Sequence, residues 1–106
     1  MRMAVVATLV VFIAGTAKAQ SLGSMEIANQ LGSVLAAEQF CGLSYNKTAI
    51  SKFIDAKVSA KDMGFAPMLE TMVAGAKFQQ NGMSQSLKTA HCRQINRVAK
   101  AYGFIN

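Results

Sequence analysis

The chain begins with a short basic start at residues 1–3 and an apolar, small-residue run at residues 4–15, followed by Thr-Ala-Lys-Ala at residues 16–19. A basic start, an apolar stretch of this length and an Ala-x-Ala site are typical of a secretory signal peptide. A membrane-spanning helix requires about 20 apolar residues, which is longer than this run. We therefore predict that residues 1–19 are cleaved off and that residues 20–106 fold as a single helical domain.

Both cysteines, Cys41 and Cys92, belong to the 87 residues that remain. A domain of this size has a marginal hydrophobic core. An even number of cysteines in a small exported domain indicates a disulfide. We predict that Cys41 and Cys92 are bonded to each other. The chain has no Cys-x-x-Cys motif, which disfavours a redox or zinc-binding role for the pair.

Apolar residues recur at helical spacing in four segments, and no segment shows sustained period-two alternation. Ser24 is predicted to cap a first helix that ends near Cys41, and Asn46 to cap a second. The apolar positions that line these two helices are Ile27, Leu31, Val34 and Leu35, and then Ile50, Phe53, Ile54 and Val58.

A third helix is predicted before the turn at Asn81 and Gly82. Residues 59–62 resemble a capping box that would open this helix. Pro67 leaves two interpretations: residues 60–65 form a separate turn, or the helix kinks. The predicted apolar stripe that follows the proline consists of Leu69, Met72, Val73 and Ala76.

The fourth helix is predicted to start after Ser84 and to end at Gly103, with Phe104 and Ile105 folding back onto the core. Its predicted apolar stripe consists of Leu87, His91, Ile95, Val98 and Tyr102. The sequence therefore predicts an all-α fold: a small bundle of about four short helices linked by one disulfide.

The charges of the chain are unevenly distributed. Removal of residues 1–19 leaves nine Lys and Arg against five Asp and Glu, and no acid follows Glu70. Arg93, Arg97 and Lys100 share the helix face away from the apolar stripe. We predict that this face binds an acidic protein or envelope component. The export signal disfavours nucleic acid as the partner. A membrane-surface helix usually exposes large apolar side chains, which the pattern here assigns to the core.

Met68, Met72 and His91 suggest an alternative, a soft-metal site for copper, because thioethers suit Cu(I). Methionine also commonly fills irregular cores. The sequence gives no cofactor motif and no combination of nucleophile, base and orienting group, so we expect a non-enzymatic protein. A periplasmic holdase-like chaperone is a further alternative, although five carboxylates and one histidine are few for an acid-triggered switch.

Three stretches carry a resemblance: AKDMGFA at residues 60–66, KTAHC at residues 88–92, and VAKAYGFI at residues 98–105. Together with Cys41 they resemble a group of small exported two-cysteine proteins from rhizobia-like alphaproteobacteria. The resemblance implies a periplasmic or secreted location. It implies no activity, so no functional residue is transferred.

Overall fold

A computed structural model of the chain describes the backbone of residues 15–106 and the side chains of residues 23–106. It contains the helices α1 (Gly15–Phe40), α2 (Lys47–Lys57), α3 (Phe65–Gln80) and α4 (Gln85–Ala101), and residues 15–106 contain no strand. Cys41 and Cys92 form a disulfide, with their Cα atoms 5.4 Å apart. The predicted all-α fold and its cross-link are confirmed.

The signal peptide stays a prediction, because residues 1–14 lie outside the described part of the chain. Helix α1 passes through the predicted cleavage position. Cleavage there would leave α1 starting at residue 20.

Contacts at both ends of the helices fix the relative directions of α1, α3 and α4. Ser24 of α1 donates a hydrogen bond to Asp62, just before α3, and Gln80 at the end of α3 donates to the carbonyl of Ala36. Helices α1 and α3 therefore run in the same direction. The disulfide joins the end of α1 to α4, whereas Tyr102, after α4, donates to Gln30 further back in α1. Helix α4 therefore runs opposite to α1.

The predicted caps at Asn46, Ser84 and Gly103 are confirmed. The side chain of Asn46 accepts from the N–H of Ala49 at 2.9 Å, and that of Ser84 accepts from Leu87 at 3.2 Å. Gly103 has φ 81°, and the N–H of Phe104 donates back to Ala99 at 2.9 Å. This 6→1 bond is typical of a Schellman cap, in which glycine adopts the left-handed conformation at lowest cost.

The structure shows where α1 and α3 begin relative to the predicted starts. The prediction that Ser24 caps the first helix is wrong, because α1 already includes Gly15 and the Ser24 hydroxyl donates a hydrogen bond to Asp62 at 2.6 Å. At the third helix, residues 60–64 form a separate turn and α3 begins at Phe65. Pro67 then lies in the first turn of α3, where its missing N–H would have no helical partner in any case.

Helix α1 is the central helix of the bundle, and within residues 23–40 its buried apolar side chains are Ala28, Leu31, Val34, Ala36 and Ala37. Four aromatic rings pack together on the other side of the core. They come from the loop before α2, from α2 and from the end of α4, and they are Tyr45, Phe53, Tyr102 and Phe104. The Tyr45 hydroxyl donates to the carbonyl of Val34 at 2.8 Å. Burial, together with the nearby Glu38 carboxylate, raises the pKa of Tyr45 to about 12, so its proton stays available for this bond.

The tightest approach between α1 and α3 is at Gly32. A Cβ atom at this position would lie 2.8 Å from the Cβ of Met72 and 3.3 Å from the backbone nitrogen of Val73. Backbone atoms cannot yield as a flexible side-chain end can, so any larger residue at Gly32 must push the two helices apart.

We expect G32A to lower the free energy of unfolding by about 1–3 kcal/mol through this steric overlap. Its matched control is G75A on α3, where a Cβ would meet nothing within 4 Å. That substitution is expected to raise stability by about 0.5–1 kcal/mol, because alanine is the better helix former. Urea denaturation of both variants measures the difference. Equal stability of G32A and G75A would contradict the close packing of α1 against α3.

Candidate functional site

The disulfide positions α4 beside the loop that follows α1. Cys41 lies directly after α1, and its bond to Cys92 fixes the middle of α4 against residues 41–43. The Glu38 carboxylate accepts from the backbone N–H of Tyr45 at 2.7 Å, and the Glu38 carbonyl accepts from the N–H of Leu43 at 2.7 Å. Glu38 thus holds the short loop in place opposite α4.

A shallow groove of about 620 Å³ runs between this loop and α4. We call it the basic groove, and it is lined by Cys41, Leu43, Thr89, Cys92, Arg93, Asn96, Arg97 and Lys100. The structure therefore brings together all three predicted partner-binding residues, Arg93, Arg97 and Lys100, and each of them is exposed. Residues 89–100 span roughly 16 Å along the helix axis, which sets the length of the groove.

The electrostatics of the basic groove follow from the composition of α4, which contains no Asp or Glu. Arg97 donates to Gln94 of the same helix at 3.4 Å, a weak contact. Lys100 lies in the last turn of α4, where the helix dipole favours a positive charge. Two guanidinium groups, one ammonium group, one amide and one hydroxyl make a surface suited to binding carboxylates.

Lys88 belongs to a neighbouring groove on the other side of the disulfide. Its ammonium nitrogen lies 4.6 Å from the centroid of the Phe40 ring, a cation–π contact. The half-buried His91 ring lies 6.3 Å from the same ring. Lys88 and His91 thus pack against the end of α1 rather than face the basic groove.

Sequence reasoning missed three residues of the basic groove. Thr89 and Asn96 could have been found, since they lie four residues before and three residues after Arg93 and so share its helix face. Leu43 had no such signal in the sequence. Its position opposite α4 follows only from the disulfide and from the path of the loop.

The candidate copper ligands are placed at different levels of the bundle. Met68 and Met72 pack against the hydrophobic core, with Met72 opposite Gly32. His91 lies beside Phe40, which is eight residues, or roughly 12 Å, further along α1. The copper interpretation of these three residues stays a prediction.

In the part of the chain that the structure describes, no group of three or more His, Cys, Asp or Glu side chains is placed to hold a metal ion. None of the helices within residues 15–106 has the length and apolar character needed to cross a membrane. No family model matches the chain, and neither a curated protein nor a solved structure is detectably similar to it. The resemblance to exported two-cysteine proteins stays a prediction.

Proposed function

We propose that the protein is an exported, non-enzymatic helical domain that binds an acidic segment of a partner protein in the basic groove of α4. One observation carries the proposal. Arg93, Arg97 and Lys100 line a single groove on a helix that contains no acidic residue.

The chemistry of the basic groove supports an acidic peptide segment as the ligand. Arginine pairs with a carboxylate through two parallel hydrogen bonds, which fixes the orientation of the bound group. Leu43 and the disulfide add apolar surface between the charged and neutral polar groups. A groove of roughly 16 Å accommodates about five residues of an extended chain. A segment that mixes acidic and apolar side chains fits this combination.

The disulfide also supports the proposed location. Disulfides persist in oxidising compartments such as the bacterial periplasm and the extracellular space, and are rare in the cytosol. Together with the N-terminal pattern of residues 1–19, the Cys41–Cys92 bond supports a periplasmic or secreted protein.

The test measures binding of a fluorescein-labelled peptide of alternating glutamate and leucine by fluorescence anisotropy. We expect R93E/R97E to weaken binding at least about tenfold, because two attractive contacts become repulsive. The matched control is K47E/K52E, which makes the same change of charge at two exposed positions of α2. This control is expected to change the affinity about twofold or less, through the net charge alone.

Equal loss of affinity in R93E/R97E and K47E/K52E would show that the peptide responds to net charge and not to the basic groove. Unchanged binding in R93E/R97E would also contradict the proposal. Circular dichroism of each variant checks that the helices are intact. Exposed positions such as these are expected to tolerate the substitutions.

A further inference from the structure

Two large apolar side chains are exposed at the corner between α3 and α4. Phe78, two residues before the end of α3, is 79% exposed, and Leu87, the third residue of α4, is 61% exposed. Each lies within about one helical turn of the connection at residues 81–84. We call this pair the apolar corner.

The rest of the bundle leaves both side chains of the apolar corner exposed. Phe78 lies two positions from Gln80, which is buried and bonds the carbonyl of Ala36 in α1, so the Phe78 side chain is rotated by about 200° away from that contact. Leu87 was predicted to join the core stripe of the last helix, and that prediction is wrong. It lies beyond the level of Phe40, where α1 ends, while its neighbour Lys88 packs over the Phe40 ring.

The charged residues next to Phe78 and Leu87 in the sequence are both lysines. Lys77 precedes Phe78, Lys88 follows Leu87, and no acidic residue occurs after Glu70. Exposed apolar side chains flanked by lysines are typical of surfaces that bind anionic bilayers, because the apolar groups enter the interface and the cations meet the headgroups. A second copy of the chain would bring the same lysines to the contact and would be repelled, since nine Lys and Arg remain against five Asp and Glu after removal of residues 1–19.

We propose that the apolar corner is a peripheral binding site for the surface of an anionic lipid bilayer. Phe78 and Leu87 insert at the level of the headgroups, and Lys77 contacts the lipid phosphates. Lys88, whose ammonium group lies over the Phe40 ring, adds positive charge beside them. The proposal is independent of acidic-segment binding, which uses Arg93, Arg97 and Lys100. The sequence argument against membrane contact was that the large apolar residues of the last helix lie in the core. The exposure of Leu87 removes that argument.

The first experiment places a fluorescent reporter at the apolar corner. The chain contains no tryptophan, so F78W provides a single probe. We expect a blue shift of its emission with vesicles of phosphatidylcholine containing about two-fifths phosphatidylglycerol, and none with phosphatidylcholine alone. The matched control is M63W in the turn between α2 and α3, where Met63 is 82% exposed at the other end of the bundle. Its emission is expected to stay unchanged.

The second experiment measures vesicle binding by co-sedimentation. F78S/L87S is expected to bind the anionic vesicles at least about tenfold more weakly, whereas M63S binds as the native chain does. R93E/R97E distinguishes the two proposals. It is expected to weaken peptide binding at least about tenfold but to leave the blue shift of F78W at saturating lipid.

Three results would overturn the lipid proposal: unchanged sedimentation of F78S/L87S, equal shifts of F78W and M63W, or binding to phosphatidylcholine as strong as to the anionic vesicles. A blue shift that appears without vesicles and grows with protein concentration would also overturn it. That result would instead assign the apolar corner to contact between two copies of the chain.

Discussion

The double variant C41S/C92S is expected to lose about 2–4 kcal/mol of stability and to melt roughly 10–20 °C below the native chain. The two cysteines are 51 residues apart in sequence, and chain-entropy estimates for a loop of this length approach the upper figure. A small helical domain has only about 5–10 kcal/mol of total stability, so this bond supplies a large part of it. Thermal unfolding followed by circular dichroism measures the change.

Serine at both positions avoids a free thiol and so isolates the effect of the cross-link. When the native chain is heated in excess dithiothreitol, its melting temperature should equal that of C41S/C92S, since both lack the same bond. If the melting temperature of C41S/C92S equals that of the oxidised native chain, the Cys41–Cys92 bond does not stabilise the fold. The variant should also bind the acidic peptide more weakly, because the disulfide fixes α4 against the loop that forms the other wall of the basic groove.

The features that were predictable from sequence depend on short stretches of chain. Asn46 and Ser84 could be predicted as caps from their residue types, because capping involves only one helical turn. Each side chain accepts from the backbone N–H three residues ahead. Gly103 ends α4 for a similarly local reason, its positive φ. The disulfide could be predicted because two cysteines allow a single intramolecular pairing.

Features that depend on distant contacts were not predictable. Ser24 has the chemistry of a cap, but its hydroxyl bonds Asp62, 38 residues away in sequence, and the helix continues through it. A serine within a segment of good helix formers does not by itself start a helix, since its preference as a cap is worth only about 1 kcal/mol. The close approach at Gly32 also requires knowledge of which helix packs there.

The apolar spacing of α4 predicts its buried face correctly but misplaces Leu87. Ile95 and Ala99 are buried as their spacing suggests. Cys92 and Lys88 lie on nearly the same side of the helix and are half-buried. Leu87 lies eight positions from Ile95, or about 80° around the helix, at the edge of the buried face. Because α1 ends at Phe40, that edge has no neighbour to pack against. The exposure of Leu87 thus follows from the length of another helix.

The substitution F104A is expected to lower the free energy of unfolding by about 3–5 kcal/mol, the range for removing a fully buried phenylalanine side chain. Phe104 is 1% exposed, and its ring centroid lies 5.4–5.7 Å from those of Tyr45, Phe53 and Tyr102. The ring therefore joins the loop before α2, α2 and the end of α4. The cavity left by alanine would remove these contacts together. Urea denaturation measures the loss.

Two further variants keep this prediction testable if F104A is too unstable to measure. F104L retains most of the apolar volume and is expected to cost about 1–2 kcal/mol. F78A removes the same ring from a position that is 79% exposed, so it is expected to change stability by no more than about 0.5 kcal/mol. The expected order of stability is native and F78A, then F104L, then F104A. Equal stability of F78A and F104A would mean that the chain end does not close the core, and that the four-ring cluster does not hold α2 against α4.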